Sequence, residues 1–142
     1  MHTHRSLLER AVAVYNDGDL DGYVDLYTDD AVLSTPEGAF KGKNELRDRF
    51  ARELNALSDI RFDIISYVEG GDTFADEFLL AGTHTGPLSM PDGTELPATG
   101  RHIEIRGMEM VQVRDGRMVA DNLYYDNAAV FAQLGVLPRR ND

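Results

Sequence analysis

Two long β-patterned runs meet at Arg114-Asp115-Gly116-Arg117, and how they face each other constrains this chain more than any other feature. An Asp-Gly pair between strand-forming residues suits a three-residue hairpin loop, a type I turn closed by Gly116 in the left-handed conformation. That loop pairs Val113 with Arg117, Val111 with Val119 and Glu109 with Asp121. Ile103, Ile105, Val111, Val113, Val119, Leu123 and Tyr125 then share one apolar face with the two carboxyls among them. A two-residue turn would pair odd positions with even ones and break that face. Facing carboxylates on an apolar surface are costly to bury, which marks Glu109 and Asp121 as candidates for acid–base chemistry.

The 142 residues suffice for one domain, 1–142, with a real core, and a 42% hydrophobic content argues against disorder. No apolar run approaches the ~18 residues of a transmembrane helix, and the N-terminus lacks the apolar stretch of a signal peptide. With no Cys in the chain, disulfides and thiolate chemistry are excluded and a cytoplasmic location is expected. A net charge of −11 disfavours nucleic acid and anionic membranes as partners.

Leu7, Leu8, Ala11, Val12 and Tyr15 form an apolar stripe at helical spacing that stops near Asn16-Asp17-Gly18. Asp19 caps a second expected helix, carrying Leu20, Tyr23, Val24 and Tyr27 and ending at Asp29-Asp30. Ala31 to Ser34 reads as a short strand and Pro36-Glu37-Gly38 as a turn. A third helix follows Gly42, with Leu46, Phe50, Leu54 and Leu57 inward. The period then switches to strand over Ile60–Glu69, Thr73–Thr85, Arg101–Val113 and Arg117–Tyr125, with Gly70-Gly71-Asp72 joining the first two as a hairpin. Three Pro and three Gly between Gly86 and Gly100 make a loop or loose hairpin. Helices first and long strands after is an α+β pattern: helices on one face of a curved, mostly antiparallel sheet, leaving a pocket between.

Asn16-DGDLDGYVDLYTDDAV-Val32, Phe40-KGKNELRDRF-Phe50, Gly82-THTG-Gly86, Ala98-TGR-Arg101 and Arg106-GMEMVQVRDGRMV-Val119 together resemble the SnoaL-like polyketide cyclases, or ester cyclases, of the NTF2-like superfamily. The resemblance implies a cone with its pocket between the helices and the concave sheet face, Tyr15 pointing into it, and a sheet-to-sheet homodimer. It implies that Glu109 stands where ketosteroid isomerases hold an acid that hydrogen-bonds a developing enolate. Asp121 stands on the last strand, where the cyclases keep their acid/base group. The steroid isomerase Tyr corresponds to Ala11 and its general-base Asp to Thr35, so steroid isomerisation is not expected. The family's frequent Trp near the last strand is absent.

The remaining candidates follow from parity. His84 ends the strand carrying Phe74, Phe78 and Leu80 on one side. It would either shuttle a proton or bind a carbonyl oxygen, or simply hydrogen-bond the neighbouring loop. Tyr15, Phe50, Phe78, Leu123 and Tyr125 would line the pocket and Met90 would cap it. Tyr23, Tyr27 and Tyr124 read as structural, His102 as a convex-face residue, and His2 and His4 as part of a fraying terminus. Met108, Met110, Met118, Ala120 and Tyr124 form an even-numbered apolar set that a second copy would cover. No metal motif or phosphate-binding loop is present, and no cofactor is expected. The expected function is cofactor-independent enolate chemistry on a small apolar carbonyl compound, such as a polyketide ester. The alternatives are a non-catalytic ligand-binding module, or an epoxide hydrolase, for which Arg101 has the right parity but no flanking Asp pair.

Overall fold

Leu7, Leu8, Ala11 and Tyr15 are all buried along one face of α1 (Thr3–Asn16), as their spacing requires. A computed structural model describes residues 3–90 and 92–136. His2 lies outside them. His4, expected to fray, is instead within α1 and meets the Gly71 carbonyl at 2.7 Å.

The second helix is shorter than expected. Asp19 caps it, accepting from the Gly22 amide, but α2 covers only Leu20–Val24. Tyr27 to Asp30 belong to β1 (Tyr27–Thr35): Tyr27 pairs with the distant Met118 before a bulge, a long-range partner that local propensity could not foresee. A turn at Pro36-Glu37 leads to β2 (Gly38–Lys41), and α3 (Gly42–Ala56) follows with Leu46 and Phe50 buried. The strands β3 (Leu57–Gly70), β4 (Thr73–His84), β7 (His102–Arg114) and β8 (Arg117–Tyr125) match the periodic runs, and β5 (Leu88–Ser89) and β6 (Glu95–Leu96) form the loose hairpin between them. Helix α4 (Asn127–Leu134) closes the described chain, capped by Asp126 at its start and by left-handed Gly135 at its end.

Six strands form one curved, open sheet in the order β2-β1-β8-β7-β4-β3. All neighbours are antiparallel except β1 and β8, which run parallel and join the two halves of the chain. The helices cover the concave face, and their apolar stripes merge with Phe74, Phe78, Leu80 and Val111 of the sheet into one core. No helix among the described residues is long and apolar enough to cross a membrane.

The β7–β8 hairpin departs from the expected register. Arg114 pairs with Arg117, so the turn has two residues, and both Asp115 (φ 52°) and Gly116 (φ 76°) are left-handed. This geometry suits the natural strand twist. Parity survives because a bulge intervenes: Val113 pairs with Met118 and Gln112 with Ala120, leaving Val119 unpaired. Asp121 therefore lies opposite Val111, and Glu109 opposite Leu123. The two carboxyls share the concave face as diagonal neighbours rather than as a directly facing pair. The bulge also turns Met118 inward, where it is 1% exposed, removing it from the even-numbered outer set.

Candidate functional site

The inward residues of three adjacent strands stack in rungs. Phe74, Val111 and Asp121 make one, and Asp76, Glu109 and Leu123 make the next. Three carboxyls are thus buried side by side: Asp76 at 2%, Glu109 at 6% and Asp121 at 2% exposure. Asp121 accepts a hydrogen bond on Oδ2 from the Tyr27 hydroxyl at 2.9 Å, and the hydroxyls of Tyr27 and Tyr23 lie 3.3 Å apart. Both oxygens of Asp76 and Oδ1 of Asp121 are buried with no hydrogen-bond partner. Burial and mutual repulsion disfavour charge on all three. Burial, then the charges of Asp121 and Asp76, push Glu109 well above the ordinary carboxylate range. Burial also raises Asp121, with the Tyr27 bond opposing it, and burial raises Asp76. Tyr27 and Tyr23 are raised by burial and by these same carboxyls, so both stay neutral donors.

A cavity of about 120 Å³ lies between this face and the helices. A single water needs ~10–15 Å³ on the same measure, so an organic molecule can enter. Glu109, Asp121, His84, Tyr15, Phe50, Phe78, Leu123 and Tyr125 all line it. Met90 does not; its amide bonds the Thr94 carbonyl in the β5–β6 hairpin. Tyr23, expected to be structural, is also a lining residue. Arg101 is exposed, with its guanidinium against Gly135 rather than beside the carboxyls.

His84 occupies the far end. It stands eight residues along β4 from Asp76, or ~26 Å of extended strand, so it and the carboxyl cluster lie at different ends of the lining. The Thr99 amide donates to its Nδ1 at 3.1 Å, with Thr99 Oγ1 2.9 Å away. A backbone amide can only donate, so Nδ1 is the unprotonated nitrogen and Nε2 carries the hydrogen. Burial lowers the pKa of the ring, which favours this neutral form.

Helix α3 adds a charged group that the sequence reading passed over. Arg49, 8% exposed at its side chain, pairs with Glu53 at 2.7 Å and Glu37 at 3.3 Å and donates to the Tyr125 hydroxyl at 3.3 Å. Tyr15 donates to Glu53. Burial opposes the charge of Arg49, but Glu53, Tyr125 and Glu37 together hold it protonated. The signal was present: Arg49 and Glu53 fall three and seven positions after Leu46, on its helical face. Asp76 was equally legible, since it shares the parity of Phe74, Phe78 and His84. Among the described residues, no group of three or more His, Cys, Asp or Glu side chains could hold a metal ion.

Residues 8–120 match the family model of the SnoaL-like domain. The match stops one residue short of Asp121, so that carboxyl, Tyr125 and α4 lie beyond it. No curated protein matches the chain. Among solved structures, IdmH from Streptomyces antibioticus, described as a candidate polyketide cyclase, is 26% identical with a TM-score of 0.76, over 93% of this chain and 98% of its own. AclR from Streptomyces galilaeus, described as a candidate hydroxylase, is 22% identical with a TM-score of 0.81, over 94% and 96%. A protein from Catenulispora acidiphila with a ketosteroid isomerase-like fold, in complex with trimethylamine, is 18% identical with a TM-score of 0.73, over 93% of each chain.

Proposed function

Because the chain belongs to the SnoaL-like domain family, we propose that it is a cofactor-independent enzyme of the cyclase/isomerase kind. Its substrate is a small apolar carbonyl compound or polyketide-like ester held in the cone. The observation carrying this reading is the pair of buried carboxyls, Glu109 and Asp121, on one wall of one cavity, with a Tyr27 hydroxyl fixed on Asp121. Like-charge neighbours in poor solvent cannot both ionise freely, so one holds a proton while the other remains a base near neutral pH.

Asp121 is the base. It removes a proton from the carbon beside the substrate carbonyl; the C–H electron pair becomes a carbon–carbon double bond, and the π pair of the carbonyl moves onto its oxygen. Glu109, protonated, donates to that oxygen and stabilises the enolate. The enolate carbon then forms a bond to a second carbonyl carbon of the same molecule, whose oxygen takes the proton now on Asp121. In an isomerisation the proton returns instead to a different carbon. Phe50, Phe78 and Leu123 fold the chain of the substrate so that the reacting carbons meet, which supplies much of the rate. Tyr125 and Arg49 hold the polar side of the cavity, and His84 offers its Nε2 hydrogen to an oxygen at the far end.

The test is Asp121→Asn assayed on a panel of activated polyketide-like esters. Turnover is expected to fall by about two to four orders of magnitude, the usual scale of general acid–base help. Turnover at the wild-type rate removes Asp121 from the chemistry, and wild-type binding without turnover on any ester favours a ligand-binding module.

A further inference from the structure

Glu109 has a carboxyl on either side of it. Asp121 is its diagonal neighbour on β8, and Asp76 is its direct cross-strand partner on β4. Directly opposed residues bring their Cβ atoms to ~4.5–5.5 Å, so the Asp76 and Glu109 carboxyls meet. Asp76 differs from the other two in that it does not line the cavity and both of its buried oxygens lack a hydrogen-bond partner. An unsatisfied buried carboxylate is costly, and a carboxylate offers only acceptors. One proton on Glu109 turns the contact into a hydrogen bond and satisfies Asp76.

We propose that Asp76 is a positioning residue that keeps the proton on Glu109, so that Glu109 meets the substrate as a neutral acid and Asp121 meets it as the base. The arrangement uses all three carboxyls in one row. Asp76, sealed behind the wall, is the negative end that Glu109 bonds to, and the cavity receives only Glu109 and Asp121. The titratable and charged groups around the row fit this. From β3, Tyr67 is the register partner of Asp76, with Arg5 of α1 stacked over its ring. From α2 and β1 come Tyr23 and Tyr27, and from β8 comes Asp121. Burial, then the charges of Asp121 and Asp76, and last the bond with Asp76 act to raise Glu109, while the same bond opposes the rise at Asp76.

This inference rests on the acid–base reading for its use, but its test needs no substrate. Carboxyl carbons are followed by NMR from pH 4 to 9 (about the range where perturbed carboxyls titrate) in the wild type, Asp76→Asn and Glu109→Gln, the last assigning the Glu109 signal. In the wild type, Glu109 and Asp76 are expected to titrate in two shared steps, with Glu109 the last to lose its proton. In Asp76→Asn the Glu109 midpoint is expected to drop by about one pH unit or more. An unmoved midpoint overturns the proposal. If Asp76→Asn does not fold, the wild type decides alone: independent single-step curves, or the late proton residing on Asp76, overturn it. The expected titration combined with wild-type turnover in Asp121→Asn would leave the proton on Glu109 established and sink the catalytic reading instead.

Discussion

Tyr27 tempers the raised titration of Asp121 through one hydroxyl. Its hydrogen bond favours the charged form and offsets part of the effect of burial. Tyr27→Phe removes that offset, so Asp121 titrates higher still. The rising limb of a pH–rate profile is expected to move to higher pH by about one unit, with roughly tenfold less turnover near neutrality. An unshifted limb would separate Tyr27 from the chemistry. The same carboxyls bear on stability. Their folded pKa values are raised, so the fold binds protons more tightly than the unfolded chain. That stabilisation is complete below the ordinary carboxylate range and is lost as pH rises through the raised values. Wild-type Tm should therefore decline between mildly acidic and neutral pH. Glu109→Gln should show a weaker decline and an equal or higher Tm at neutral pH, at about 3 °C per kcal/mol for a domain of this size. Calorimetry across pH checks this. Sequence reading reached Glu109 and Asp121 because an apolar run made them stand out. It missed Asp76 and Arg49, whose parity was just as informative, because each carries a charge that propensity assigns to solvent.

At the scale of elements, the long strands and α3 followed from period alone, since each has one face that only the core can accept. The β7–β8 register did not. A bulge at Val119 has no side-chain signature, and a two-residue turn plus a bulge yields the same inward set as a three-residue turn without one, apart from Met118 and Val119. The shift separates Glu109 from Asp121 by one rung, which no face-matching argument could detect. The second helix ended early for a related reason: β1 is held between β2 and β8, and Tyr27 at its start pairs only with the distant β8. Helix α4 offers a direct test of how an element supports the site. Val130, Phe131 and Leu134 line the cavity, and the Asp126 carboxylate caps the helix by accepting from the Ala129 amide at 3.1 Å. Asp126→Ala should cost about 1 kcal/mol. Amide exchange should accelerate through 127–134 while β3 and β4 remain protected, and uniform acceleration would contradict the assignment.

For the molecule as a whole, the convex face of the sheet is the outstanding surface. Met108, Met110 and Tyr124 are 40%, 46% and 58% exposed, a cluster of large apolar side chains on the solvent side of the central hairpin. We propose that a second copy of the chain covers them. Light scattering at micromolar concentration should give a dimer mass, and Met108→Lys combined with Met110→Lys should give a folded monomer. A wild-type monomer would end this proposal. The α+β architecture was legible at this scale from the order of helices and strands, because a one-sided sheet has few ways to hide its apolar face. The mixed pairing was not, since it joins residues about ninety positions apart. That pairing also fixes a sequence of events during synthesis. The ribosome releases β1 early, with Tyr27, but its parallel partner β8 emerges only after every other strand, and Asp121 with it. The hairpin of β3 and β4 can form while translation continues, whereas β1 and β2 must wait unpaired at their inner edge. A nascent chain thus has helices, most of a sheet and an unfinished wall until β8 docks, and the bond from Tyr27 to Asp121 is among the last made.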